Sequence, residues 1–508
     1  MFSLAGIGRP FTRRSTSRAL VLEPFLLLLL VAAAFLIRLW GLSLQHFWDE
    51  MVYLQNAQVI AFGKTNYSEL AYRPPLLSLL FAGAFRLWHH IFAACILTAL
   101  INALAPLFLY RAGAMLFGRL SAALSALLLA FGPFFVGVFP AGFDSDNTGN
   151  SLLTDSPALT LVLLALWLML RALARPSALR FAGAGFVLAL AVLMRFGSLP
   201  AAGLLFLLSL ATHRRLRALA AAAAGFALAF APYLLWSRLV YKGIFATLSK
   251  GWGNVEGSSA PFLFYVRNAP TLFTPLALAG LLLAACWPLV RRLRPAGFSP
   301  CPAAPLEPAL PLALLHGFLW FWLAAALLFF SSIPHKEPRY ILPLAPPLLL
   351  LAGSGLAPLA CGRRRSLQLA GAALLAASLV VAFLPLSQRL QESFLDPGIP
   401  DELVASQYLN TIAAPGSTLY MSFNYPAFAY YTRCRIHEMP QTGPALQQEI
   451  DRIPPGGLLV VYRPTREVTE PDPAWVDTNP RFERLRSFPT LIVYRHLPLN
   501  GPPGNASH

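Results

Sequence analysis

The stretch LLSLLFAGAFRLWHHIFAACILTALINALAPLFLYRAGAML (residues 76–116) decides the architecture. It is too long for one membrane span of about 20 residues, and Arg86, His89 and His90 interrupt it. It reads either as two short spans or as an amphipathic helix on the membrane surface followed by one span. The basic residues further along discriminate. With residues 76–90 on the outer surface, Arg119, Arg171–Arg180, His213–Arg217, Arg291–Arg294 and Arg363–Arg365 all fall on the cytoplasmic side, as the positive-inside bias requires. With two spans every one of those clusters would fall outside, so the surface helix is the expected structure.

Working outward, the N-terminus carries Arg9, Arg13, Arg14 and Arg18 before an apolar run from Pro24 to Ile37. The run continues into Arg38-Leu39-Trp40 with no small-residue cleavage site, so it is expected to be an uncleaved first span starting in the cytoplasm. Further spans are expected near 92–116, 120–140, 157–174, 180–195, 198–212, 217–238, 270–290, 309–332, 341–360 and 367–387. The fold class is thus an α-helical polytopic membrane protein of about eleven transmembrane helices, with the C-terminus outside the cytoplasm.

Composition agrees. Hydrophobic residues are 57% of the 508 and charged residues only 12%, with a mean hydropathy of +0.60, so most of the solvent is lipid. The formal charge of +17 does not indicate nucleic acid. From Arg389 onward there are 10 Lys/Arg and 12 Asp/Glu, which leaves the excess in short clusters between apolar runs rather than in a basic stripe on a soluble face.

Beyond Pro400 the pattern becomes that of a small α/β domain. Asp401–Thr411 and Gly443–Arg452 read as helices, and Ser417–Ser422, Gly457–Tyr462 and Thr490–Arg495 as strands. The expected units are a transmembrane domain at 1–390, an extracytoplasmic α/β domain at 391–500 and a disordered tail at 501–508. Cys434 is the one outward-facing cysteine, so an intrachain disulfide is not expected there.

Chemistry-bearing residues collect in the expected outer loops. Trp48-Asp49-Glu50 places two acids just above the membrane, suited to general-base work or cation binding. Arg73, in AYRPPL, stands where a guanidinium meets a phosphate at headgroup depth. The loop around Asp144 and Asp146 lacks the spacing of a calcium-binding EF-hand. It leads to Thr154-Asp155-Ser156-Pro157, which reads as the cap of the next span. His335-Lys336-Glu337-Pro338-Arg339-Tyr340 sets five polar groups in six positions between apolar runs, costly at a membrane surface without a task. Asp49 and Asp155 could share a divalent metal, although two carboxylates do not define a site.

At these loops the chain resembles the GT-C superfamily of membrane glycosyltransferases, which use lipid-phosphate-linked sugars. WDEMVYLQNAQVIAFGKTNYSELAYRPPLLSLLFAGAFRLW (Trp48–Trp88) resembles the first outer loop of the protein O-mannosyltransferase and lipid A aminoarabinose-transferase branch. LLTDSPALTLVLLALWL (Leu152–Leu168) is similar to that branch's second acidic motif. HKEPRY (His335–Tyr340) is similar to the HKE-type motif of dolichol-phosphate-mannose-dependent mannosyltransferases. The resemblance covers roughly residues 20–390 and lies in the combination of spacing and topology.

It implies Asp49 as catalytic base, with Glu50 and Asp155 as supporting acids. It sets Arg73, His335, Lys336 and Arg339 around the donor phosphate, with Glu337 and Tyr340 supporting them. The implied partners are a polyprenyl-phosphate sugar donor, the bilayer, and an acceptor lipid, glycan or protein. The expected location is a bacterial inner membrane. The rival class, a transporter or flippase, calls for mid-membrane ionisable residues and repeat symmetry. Here the ionisable residues lie mainly at span ends and no repeat is visible.

Overall fold

A computed structural model describes residues 16–360 and 399–498, apart from 41–45, 47, 65, 68–69, 71–72, 137–151, 213–214, 254–259, 294–310 and 465–470, with isolated positions between 361 and 398. The loop around Asp144, most of the expected span 367–387 and the tail 501–508 lie outside the described residues.

Apolar composition along continuous runs, with few breakers, gives helices α1 (Thr16–Trp40), α2 (Trp48–Phe62), α3 (Leu76–Leu87), α4 (Ile91–Ala103) and α5 (Ala105–Phe117). Then follow α6 (Arg119–Phe131), α7 (Pro133–Val136), α8 (Asp155–Ala174), α9 (Ala178–Met194), α10 (Leu199–Ser209) and α11 (Arg215–Tyr241). The last of the membrane part are α12 (Ala246–Gly253), α13 (Phe264–Leu272), α14 (Pro275–Leu293), α15 (Leu312–Ser332) and α16 (Ala345–Leu356).

Six described helices are long and apolar enough to cross a membrane, or seven if the bent pair α13–α14 is one span. On α1, Leu22, Phe25, Leu26, Leu28 and Leu36 are all more than half exposed. Water would penalise such a face; lipid does not.

A separate helix, α3, stands where the surface helix is expected. Leu77, Phe81 and Phe85 of α3 recur at helical spacing and are buried, while Leu79 and Leu87 on other faces are exposed. Trp88 then turns extended, and His90 caps α4 by accepting a hydrogen bond from the Phe92 N–H. Two expected spans differ in detail. The span at 92–116 is broken at Leu104, because Pro106 has no N–H to bond the Asn102 carbonyl. The span expected at 270–290 is the bent pair α13–α14, turning by 116° between Leu272 and Pro275. Pro275 starts the second helix and cannot continue the first.

Packing of α9 on α11 relies on close backbone approach. A Cβ added at Gly185 would overlap the Ala222 carbonyl, and one added at Gly225 would overlap the Ala182 carbonyl. Gly185→Val is therefore expected to force the helices apart and cost about 1–3 kcal/mol or more. A fall in melting temperature of the solubilised protein would report it, whereas Gly183→Ala, with open space around it, should leave the melt unchanged.

The C-terminal residues form a five-stranded sheet in the order β2-β1-β3-β5-β4. The strands are β1 (Thr418–Met421), β2 (Arg435–Glu438), β3 (Leu458–Tyr462), β4 (Phe482–Ser487) and β5 (Leu491–His496). β1 runs parallel to β2 and β3, and β5 antiparallel to β3 and β4. Along β3, Leu458 and Val460 face a core with Leu409 and Phe428, while Leu459 and Val461 face another with Leu446 and Ile450. That alternation is the period-2 geometry of a strand covered on both sides.

This domain is seated on α2. Lys64 Nζ donates to the carbonyls of Ala429 and Tyr430 at 2.5 and 2.7 Å, and Asn66 Nδ2 to that of Ala429 at 2.8 Å. Trp48 packs edge-on against Tyr425, with ring centroids 4.3 Å apart.

Candidate active site

The groups singled out in the first outer loop and in HKEPRY meet, although 290 residues separate them. Asp49, in the first turn of α2, has Arg73 Nη2 at 2.7 Å from Oδ1 and Arg339 Nη2 at 3.0 Å from Oδ2. Arg339 also reaches Glu337 through Nε, so one guanidinium bridges two carboxylates. Glu337 Oε1 in turn accepts from the Tyr340 hydroxyl at 3.0 Å and lies 2.7 Å from His335 Nε2. The Tyr265 hydroxyl donates to the Glu337 backbone carbonyl at 3.0 Å, which fixes the turn before the 3₁₀ segment Pro338–Leu344.

Burial alone would push the Asp49 and Glu337 carboxyls up, but the arginines outweigh it and hold both below the ordinary carboxylate range. A carboxylate with a lowered folded-state pKa contributes stability that is present above its unfolded pKa, about 4, and is lost as pH falls through the folded value. Melting temperature is expected to be level from neutrality to about pH 5 and to drop below about pH 4. In Asp49→Asn/Glu337→Gln that acid drop should shrink; an unchanged profile would mean that other groups cause it.

Asp155 opens α8 next to this cluster. Its Oδ2 pairs with Arg195 Nη1 at 2.5 Å, and its Oδ1 is buried without a hydrogen-bond partner among the described residues. Thr154 makes no side-chain cap on α8. The capping expected of Thr154-Asp155 is therefore absent, and the Asp155 carboxylate is engaged in an ion pair instead. Arg195 also lies over the Tyr340 ring, 5.0 Å from its centroid, which joins the Asp155 pair to the Glu337 group.

Arg195 was not among the expected residues. Its signal was available: in the expected topology it ends a span on the outer side, against the positive-inside bias.

Two expected residues are turned elsewhere. Glu50 is buried, accepts from the Leu152 N–H at 2.6 Å through Oε1, and lies 3.6 Å from His46 Nδ1. It fastens the start of α8 to α2 rather than facing the arginines. Lys336 Nζ donates to the Ala260 carbonyl at 2.9 Å and ties the loop before α13 to HKEPRY. The donor set does not suit a divalent cation. Both oxygens of Asp49 and one of Asp155 are held by guanidiniums, and among the described residues no group of three His, Cys, Asp or Glu side chains is placed to hold an ion.

The profile of the dolichyl-phosphate-mannose-protein mannosyltransferase family matches residues 72–236. No curated protein is similar in sequence. Among solved structures, ArnT from Cupriavidus metallidurans bound to undecaprenyl phosphate aligns with a TM-score of 0.65 at 16% identity, over 94% of this chain and 98% of that one. The chain shares the fold of that protein. Two further solved structures share that fold. The Archaeoglobus fulgidus oligosaccharyltransferase aligns with a TM-score of 0.54 at 13% identity, over 86% of this chain and 69% of its own. The mycobacterial arabinofuranosyltransferase AftD gives 0.55 at 15% identity, over 93% of this chain and 40% of its own.

Proposed function

We propose that this GT-C-fold chain is a glycosyltransferase that moves a sugar from a polyprenyl-phosphate donor to a lipid, glycan or protein acceptor on the non-cytoplasmic face. The observation that carries the reading is Arg339 bridging Asp49 and Glu337 with Arg73 on the other side of Asp49. This is a phosphate-sized set of donors built around a carboxylate. Solved GT-C structures with bound undecaprenyl phosphate and dolichol phosphate support it.

A polyprenyl tail stays in the bilayer, so its phosphate lies at headgroup level, beside the ends of α2 and α8. The acceptor hydroxyl attacks the anomeric carbon in line as the bond to the phosphate oxygen breaks, inverting the configuration. The hydroxyl proton passes to Asp49, and the leaving phosphate is stabilised by Arg73, Arg339 and His335. The arginines that hold Asp49 in the absence of donor are the groups a phosphate competes for. Donor binding draws them from the carboxylate and makes Asp49 a stronger base when a proton must be taken. Asp155 Oδ1 accepts from a hydroxyl of the sugar or acceptor, and Arg195 fixes its position. Glu337 and Tyr340 hold Arg339, while Glu50 and Lys336 brace the loops.

The accompanying topology is the eleven-span one, in a bacterial inner membrane, with the α/β domain at 391–500 outside the cytoplasm. That domain's contact with α2 supports its being on the same side as the site.

The test is release of labelled sugar from a panel of polyprenyl-phosphate sugars in membranes containing the protein. Consumption of one donor establishes a transferase. Transbilayer movement of intact donor without consumption would establish a flippase and sink the proposal.

A further inference from the structure

The connection from α2 to α3 carries Arg73, and the C-terminal domain grips it at points that the proposed chemistry leaves unused. The short helix Tyr425–Tyr431 bears on α2, the connection and α3 together. At its start, the Tyr425 ring lies 4.3 Å from that of Trp48 and 5.2 Å from that of Tyr67, between centroids. Further along, Ala427 and Tyr430 share a core with Met51 and Leu54 of α2 and with Phe81 and Phe85 of α3. Trp48 is the chain neighbour of Asp49, and only Pro74 and Pro75 separate Arg73 from α3. Two proline rings stiffen that joint. One helix of the C-terminal domain thus presses on the supports of both members of the Asp49–Arg73 ion pair.

The polar contacts converge on the same helix. Carbonyls in the last turn of a helix lack partners within it, and here the connection supplies them. Lys64 donates to Ala429 and Tyr430, and Asn66 to Ala429. Each polar atom of the Asn66 side chain is engaged. Nδ2 also reaches the Cys434 carbonyl at 3.2 Å, and Oδ1 accepts from Gln55 Nε2 of α2 at 2.8 Å. The Asn66 backbone carbonyl accepts from the Ile436 N–H of β2 at 3.4 Å. Apolar burial supplies most of the free energy of such a seam, whereas a fully satisfied polar node fixes one geometry.

We propose, on the glycosyl-transfer reading of Arg73 given above, that Lys64 and Asn66 are positioning residues for the donor-phosphate site. With the short helix they hold the connection so that Arg73 stands against Asp49. The C-terminal domain is then a brace for that pair as well as a separate fold.

The experiment measures undecaprenyl phosphate affinity, from the rise in melting temperature of the full chain in detergent, and amide hydrogen exchange of the free protein. Asn66→Ala should weaken binding about fivefold or more and should speed exchange across α2 and α3. In an Arg73→Gln background the same substitution should weaken binding no further, because the group it positions is gone. Asn410→Ala is the control. Asn410 Nδ2 donates to the Tyr431 carbonyl at 3.0 Å from within the domain, so its loss loosens the same helix end without touching the connection and should leave binding unchanged. Lys64→Met reads the same brace if Asn66→Ala does not fold. Equal weakening with and without Arg73, or equal weakening by Asn410→Ala, would reduce the contacts to a structural seam and overturn the proposal. Unchanged exchange in α2 and α3 would overturn it too. A parent chain that binds no polyprenyl phosphate would count against the glycosyl-transfer reading, and exchange alone would then decide the brace.

Discussion

Asp49→Asn is expected to lower turnover of the donor by about 10²–10⁴-fold, the range that a positioned general base contributes. The substitution keeps the shape of the side chain and removes the charge and the proton-accepting capacity. Stability should fall only modestly. Asp49 is a quarter exposed, which weakens its ion pairs through solvent screening, and Arg339 keeps Glu337 as a partner. Donor affinity is the informative second readout. In the proposed mechanism Asp49 competes with the donor phosphate for Arg73 and Arg339, so the asparagine variant should bind donor at least as tightly as the parent while failing to turn it over. Retained turnover would move the base to Asp155, whose Oδ1 has no hydrogen-bond partner among the described residues.

Arg339→Gln has the second large effect, with a different signature. Arg339 is nearly buried and serves two carboxylates. Removing one member of such a group costs up to about 3–5 kcal/mol when fully buried, and less here because Glu337 retains some solvent contact. Melting temperature should therefore fall and turnover should be lost. Adding Glu337→Gln removes the stranded charge, so the double variant should regain much of the stability and none of the turnover. Arg339→Lys should rescue poorly, since one ammonium does not reproduce the planar fork. A double variant as active as the parent would make the cluster a structural turn and nothing more.

Much of this organisation was legible because lipid imposes a strict code. Basic clusters and apolar length located most helices, and α3 is a separate amphipathic helix as expected for residues 76–90. HKEPRY was legible because five polar groups between apolar runs demand a reason. The acidic pair illustrates the limit. Asp49 and Glu50 are adjacent in sequence, but successive residues of a helix point about 100° apart. Only the fold shows that one meets Arg73 and Arg339 while the other meets the Leu152 N–H.

The strands that were missed, β2 and β4, are the edges of their sheet. Their largely exposed sequences RIHE and FERLRS carry charge instead of an apolar pattern. The bend between α13 and α14 escaped because Pro275 can begin a span or break one, and periodicity does not say which.

The lengths of the helices have a consequence for the bilayer itself. α9 has 17 residues, about 25 Å of rise, and α10 is shorter still, against a hydrocarbon thickness of about 30 Å. The 27-residue α11 packed beside them exceeds that thickness and must tilt. On the α9–α10 flank the apolar stretches are shorter than that thickness, a mismatch of the kind that local thinning of a bilayer accommodates.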